Sequence, residues 1–145
     1  MTRYISQMRI TKRPHFIEFG DCDPAGIVYF PRYLEWFDAA LQNHLRACGL
    51  AKADIVKRYG FVAFPVVDLK VTYSVPSTFH EEVVIETAIL EMRRSSFVVR
   101  HRLMRGEMVA VESVETRVWA GRDPADETKF KGVAIPEEVR RAMEF

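Results

Sequence analysis

One stretch constrains the fold more than any other: from Pro31 onward, Leu34, Phe37, Leu41, Leu45 and Cys48 recur at three- and four-residue intervals, with Arg32, Glu35, Gln42 and Arg46 at polar positions between them. That spacing predicts an amphipathic helix of about five turns. Pro31 suits the first turn, where a missing N–H needs no helical partner, and Gly49 suits the C-terminal cap. Residues 51–58 predict a shorter helix before Gly60. The wide apolar face of the long helix must be covered, and in a chain of 145 residues there is room for one core to cover it.

The rest of the chain reads mostly as strand. Residues 14–20 alternate and end at Gly20; residues 61–75 carry Leu69, Val71, Tyr73 and Val75; residues 83–89 carry Val83, Ile85, Thr87 and Ile89; residues 97–103 carry Phe97, Val99, His101 and Leu103. A last strand is expected over about 108–120, where the apolar phase moves from Val109 and Val111 to Val114 and Val118, which predicts a bulge or a face used differently along the strand. The polar run after Gly121 is expected to be a surface loop, and the last residues a short amphipathic tail. Short links around 76–82, 93–96 and 105–107 predict an antiparallel meander, because parallel neighbours need long crossovers. The expected architecture is α+β: one domain over residues 1–145, a curved antiparallel sheet wrapped around one long helix. Val84 beside Val83 and Ile85, and Val98 between Phe97 and Val99, put apolar residues on both sheet faces, so a second subunit is expected against the sheet.

Composition removes several functional classes. Lys and Arg number 21 against 20 acidic residues, so no overall field advertises nucleic acid. Cys22 and Cys48 form no CxxC pair and no disulfide framework, and no apolar run approaches 18 residues, so neither a membrane span nor a secretion signal is expected and the cytoplasm is the expected compartment. His15, His44, His80 and His101 show no metal-ligand spacing, and no metal is expected. His101 is expected to pack between sheet layers and His44 at a helix interface.

Chemistry concentrates just before the long helix. Asp21 and Asp23 lie in a loop punctuated by Pro24 and Gly26, and an apolar run from Ala25 to Phe30 leads into Pro31. Loop aspartates ordinarily accept backbone hydrogen bonds or face water. Here, however, the first N–H groups of the helix have no internal partners and can polarise a carbonyl oxygen, while Asp23 approaches the carbonyl carbon or orients a water toward it. That is half of an acyl-transfer site without serine, cysteine or metal.

The run FGDCDPAGIVYFPRYLEWFD, residues 19–38, resembles the signature of the 4-hydroxybenzoyl-CoA thioesterase family, and EMRRSSFVVRH, residues 91–101, extends the resemblance at family spacing. It implies a hotdog fold, a homodimer or homotetramer with sites at subunit interfaces, and hydrolysis of a small-molecule acyl-CoA without a cofactor, coenzyme A being part of substrate and product. It also implies that Asp23 is the catalytic carboxylate, as nucleophile or general base, and that the Phe30 backbone N–H faces the thioester oxygen. Tyr29, Trp36 and Asp38 are implied to meet an aromatic acyl group such as 4-hydroxybenzoyl, Asp38 accepting a phenolic hydrogen bond. Arg93, Arg94 and Ser95 are implied to hold the CoA phosphates. The family has Trp-Tyr at Tyr29-Phe30 and Lys at Ser95, and Arg100 and Arg102 are nearby basic residues that can compensate for the latter. Two other functions are carried forward: a thioesterase for short or medium aliphatic acyl-CoA, and a CoA-binding or assembly module without catalysis.

Overall fold

The computed structural model describes residues 8–60 and 62–144. Its centre is the long helix α1, Pro31–Ala47, which buries Tyr33, Trp36, Phe37, Ala40, Leu41, His44 and Leu45. Gly49, at φ +80°, ends it in a Schellman turn, with Leu50 N–H donating to the Leu45 carbonyl at 2.8 Å and Gly49 N–H to Arg46 at 3.0 Å. A second helix, α2, follows as Lys52–Tyr59.

Among the described residues, eight strands surround these helices: β1 Ile10–Phe16, β2 Val62–Ala63, β3 Val66–Tyr73, β4 Glu82–Met92, β5 Ser96–Arg105, β6 Met108–Val118, β7 Ala120–Asp123 and β8 Asp126–Gly132. A closing helix, α3, spans Glu137–Glu144. Five strands form an antiparallel sheet ordered β1-β4-β5-β6-β3, and three form a small sheet ordered β2-β7-β8.

Several expectations are corrected. The first strand begins at Ile10 and passes through Pro14, which an edge strand tolerates because one side of its backbone has no ladder to complete; residues 19–21 form a 3-10 turn. Residues 61–75 are divided at Phe64-Pro65, so β2 joins the small sheet and β3 the large one. Only β4-β5-β6 is a meander. The link 74–81 carries the chain past three inter-strand spacings, roughly 14 Å, well within the reach of eight residues. The polar run after Gly121 is the β7–β8 hairpin, with the Asp123 carboxylate accepting the Ala125 N–H at 2.9 Å in its turn. Almost every β8 side chain is exposed, so ladder hydrogen bonds rather than burial define that strand. The expected bulge falls at Ala110, which has no partner between the pairs Leu103–Val111 and Met104–Val109. Its carbonyl accepts from both Ser74 and Val75 N–H and anchors the crossover.

The core is two apolar clusters. Around the first half of α1, Ile17, Val28, Tyr33, Trp36 and Phe37 pack on Val83, Ile85, Leu103 and Val111. Around the second half, Leu41 and Leu45 pack with Ile89, Phe97, Val99 and Trp119, closed by Val139 and Met143 of α3. Between them a buried polar row crosses the sheet: Thr87, His101, Ser113, Glu115 and Arg117, with His44 above it. His101, expected between sheet layers, stacks instead on Phe37 between helix and sheet, at a centroid distance of 5.1 Å. Glu115 only accepts, so His101 donates from Nε2 to Glu115 Oε1 at 3.1 Å, and its Nδ1 accepts from the Thr87 hydroxyl at 2.8 Å.

Candidate active site

The loop before α1 is stapled on every side. Asp23, Pro24, Ala25 and Gly26 form a β-turn closed by Gly26 N–H on the Asp23 carbonyl at 2.9 Å, and the Asp23 N–H donates back to Ile27 at 2.9 Å. Gly26 sits at φ +82°, the left-handed conformation that lets such a turn re-enter a ladder with one bulged residue. The resulting hairpin, bridged at Cys22 and Val28, docks on the 74–81 crossover: Val28 N–H donates to Ser77 at 2.9 Å and the Thr78 hydroxyl to the Gly26 carbonyl at 2.7 Å.

This geometry separates the two loop carboxylates. Asp21 is occupied in the 3-10 turn, where its Oδ2 accepts the Glu18 N–H at 3.0 Å. Asp23 keeps one oxygen on the Ala25 N–H at 2.8 Å, which fixes its orientation and leaves the other without a partner among the described residues. The amides of the helix start divide in the same way. Tyr29 N–H is held by the Asp21 carbonyl at 2.8 Å and Arg32 N–H by Tyr29 at 2.9 Å, whereas Phe30 N–H has no acceptor among the described residues. Phe30 is already helical at φ −53° and ψ −33°, and Pro31 follows at the first helical position, so the Phe30 amide opens the helix.

An aromatic surface borders that amide. Tyr29 and Phe30 are half-exposed or more and meet edge-on at 5.6 Å; Phe30 meets Tyr73 of β3 edge-on at 6.5 Å, and Tyr73 lies 5.7 Å from Tyr33. A shallow cavity of about 170 Å³ opens here between Ile27, Val28, Tyr33, Tyr73 and Pro76. Burial pushes the Tyr33 and Tyr73 phenols up, so both are neutral donors at ordinary pH. Sequence reading did not assign either tyrosine to the site. Tyr33 lies three residues after Phe30 on one helix face, which was the available signal; Tyr73 comes from β3 and gives none.

Trp36 and Asp38 diverge. Two positions apart on α1 they point about 200° apart. Trp36 is buried against His15 of β1 at 4.3 Å and takes its place in the core. Asp38 is exposed on the opposite flank, where its Oδ1 accepts from Arg117 Nη2 of β6 at 2.9 Å. Arg117 was also missed, because the strand phase was taken from its valines.

Arg93, Arg94 and Ser95 form the β4–β5 turn. Arg93 holds both Glu91 oxygens at 3.1 Å, and the turn carbonyls are tied down by Arg140 at 2.5 Å, Ile135 at 2.9 Å and Trp119 at 2.8 Å. Glu81, at the foot of β4, pairs with Ile17 beside the Asp23 hairpin, while the basic turn lies past the other end of this 11-residue strand. That separates them by roughly 30 Å within one chain. Among the described residues, no three His, Cys, Asp or Glu side chains converge as a metal site, and no helix is long and apolar enough to cross a membrane.

A carboxylate and a helix-start amide held on one stapled hairpin, beside an aromatic wall, suit a thioester carbonyl. Residues 17–143 match the family model for the thioesterase-like superfamily. The chain belongs to that superfamily. Within this superfamily it is 42% identical over 129 residues to the 4-hydroxybenzoyl-CoA thioesterase of Pseudomonas sp. (strain CBS-3), a match spanning 84% of this chain and 89% of that one. A solved 4-hydroxybenzoyl-CoA thioesterase, an aspartate-to-asparagine mutant in complex with 4-hydroxybenzoyl-CoA, superposes with a TM-score of 0.82 at 31% identity, covering 93% of this chain and 99% of that chain. A gentisyl-coenzyme A thioesterase superposes with a TM-score of 0.76 at 29% identity, covering 92% and 98%. The thioesterase-like fold is therefore the α+β hotdog arrangement anticipated from the helix and its sheet.

Proposed function

We propose that this chain hydrolyses an aromatic acyl-CoA, 4-hydroxybenzoyl-CoA or a close relative, to the free acid and CoA. One observation carries the proposal: a carboxylate with one uncommitted oxygen and an uncommitted amide opening α1 belong to a single rigid hairpin. The Phe30 N–H polarises the thioester carbonyl, adding its partial positive charge to that of the helix terminus. Asp23 attacks the carbonyl carbon and expels the CoA thiolate, leaving an acyl anhydride that water then hydrolyses to the free acid, or it takes a proton from a water that attacks the carbon as the thiolate leaves. Tyr29, Phe30 and Tyr73 flank the acyl ring. Asp38 accepts a hydrogen bond from its hydroxyl, a contact that a plain alkyl chain does not offer.

Two subunits share each site in this mechanism. The roughly 30 Å between the Asp23 hairpin and the Arg93-Arg94-Ser95 turn supports a nucleotide held by a second copy, whose guanidinium groups pair with the CoA phosphates. Among the described residues the outer edge of β3 has no strand beside it, and Val66, Val67, Leu69 and Tyr73 are exposed along it, which suits a two-fold pairing with another β3. The assembly proposed is a homodimer or homotetramer, and the compartment proposed is the cytoplasm.

The decisive experiment compares wild-type and D23N protein on 4-hydroxybenzoyl-CoA and on straight-chain acyl-CoAs. Turnover by D23N is expected to fall by at least about two orders of magnitude with the fold intact. Near-wild-type hydrolysis by folded D23N removes Asp23 from the mechanism, a clear aliphatic preference removes the aromatic substrate, and saturable binding without cleavage leaves a binding module.

A further inference from the structure

The polar row under α1 ends at the surface on Asp38, and its last buried member is Arg117. That guanidinium, only 10% exposed, is fixed by three acceptors: Nη1 donates to the Phe64 carbonyl at 3.0 Å, and Nη2 to Glu115 Oε2 at 3.2 Å and to Asp38 Oδ1 at 2.9 Å. Its Nε also lies 3.2 Å from Glu115 Oε1, without the alignment of a hydrogen bond. Glu115 is itself held from the far side by His101.

We propose that Arg117 is a positioning residue for acyl-group selection, holding Asp38 so that one carboxylate oxygen stays open to a hydroxyl on the substrate ring. The inference rests on the function proposed above. Buried Arg117 already has its countercharge in buried Glu115, so nothing about its own burial requires Asp38, whose side chain is 60% exposed. A surface aspartate turns freely between rotamers; this one is tethered at Oδ1 to a group that cannot move, and its Oδ2 has no partner among the described residues. Because Glu115 balances Arg117, the tether does not neutralise Asp38. The trio keeps a net charge of −1, so a neutral O–H donor is favoured, an unsubstituted ring is passed over, and an anionic substituent is repelled. Asp38 also sits eight residues beyond Phe30 on α1, roughly 12 Å along the axis, so the tether and the reactive amide share one rigid element.

The test measures kcat/KM on 4-hydroxybenzoyl-CoA and benzoyl-CoA for wild type, D38N, R117K and the D38N/R117K double variant. Lysine keeps the charge that balances Glu115 but cannot reach three acceptors with a fixed fork. R117K is expected to lower the preference for the hydroxylated substrate by roughly tenfold, the scale of one charge-assisted hydrogen bond, with benzoyl-CoA turnover little changed. In the D38N background the same substitution should leave the preference unaltered, as it must if Arg117 acts through Asp38. Equal losses on both substrates, or an unchanged preference in R117K when D38N has lowered it, overturn the role of Arg117 alone. A wild-type enzyme without preference, or D38N without effect, overturns the aromatic-hydroxyl contact and the tether with it. If R117K does not fold, E115Q decides: leaving Arg117 to neutralise Asp38 should lower the preference, and an unchanged preference counts against the proposal.

Discussion

His44 makes stability depend on pH in a window that few other groups share. Its side chain is fully buried; Nδ1 shares a 2.8 Å hydrogen bond with the Thr11 hydroxyl, and Nε2 has no partner among the described residues. Burial first, and then the neighbouring Arg9 and His101, lower its pKa from 6.5 to about 4. The unfolded chain therefore binds a proton as pH falls below 6.5, while the folded chain declines it until about 4. Stability is full above that window and falls through it, by about 1.4 kcal/mol per pH unit and so by about 3 kcal/mol in all. Urea unfolding at several pH values, at one protein concentration, should show this slope in wild type. His44→Gln keeps a partner for Thr11 and does not titrate. Carboxylates contribute equally to both proteins, so the difference between the two curves isolates His44. If wild type and variant lose stability in parallel between pH 6.5 and 4.5, the buried neutral histidine is not what the packing implies.

Two further outcomes follow from the site. Arg94→Ala should raise KM about fivefold or more with kcat nearly unchanged and reduce the salt dependence of kcat/KM, because a phosphate contact outside the reacting centre contributes to binding alone; steady-state kinetics at two ionic strengths checks it. Gly26→Ala has open space for its methyl group, so only the φ of +82° resists it. A stability loss of about 1–2 kcal/mol should accompany a kcat loss of roughly tenfold or more as Asp23 loses its angle to the Phe30 amide; melting curves and single-turnover rates separate the two effects.

How much of this was legible depended on whether neighbours in sequence were also neighbours in function. The Asp23 loop and α1 are contiguous, so the carboxylate, the helix-start amide and the apolar stripe could all be read from residues 19–48. The sheet order could not, because short links exclude parallel neighbours but do not prevent a crossover past three spacings. On β6, the apolar phase was moved from Val109 and Val111 to Val114 and Val118, yet beyond Val111 the buried face carries Ser113, Glu115 and Arg117. Period-two reasoning sends such residues to solvent. Glu115 and Arg117 stay inside because they pair with each other and are met by His101 of β5 and Asp38 of α1, whereas the Ser113 hydroxyl has no partner among the described residues. Burial pushes the Glu115 carboxyl up, but His101 and Arg117 outweigh it and hold it below the usual range. Asp38 and Trp36 look like one cluster in the sequence, and the helix turns them toward opposite edges of the sheet.

The seam of hydrogen-bonding groups across the middle of the core bears on how α1 is seated. An oily rod on an oily plate can slide by a turn and bury nearly the same area. A rod fastened by Asp38 to Arg117 and by His44 to Thr11 cannot, since displacement by one turn strands polar atoms away from water. The front of the rod is thereby kept level with the hairpin that carries Asp23, and chemistry at one end inherits its alignment from bonds made halfway down.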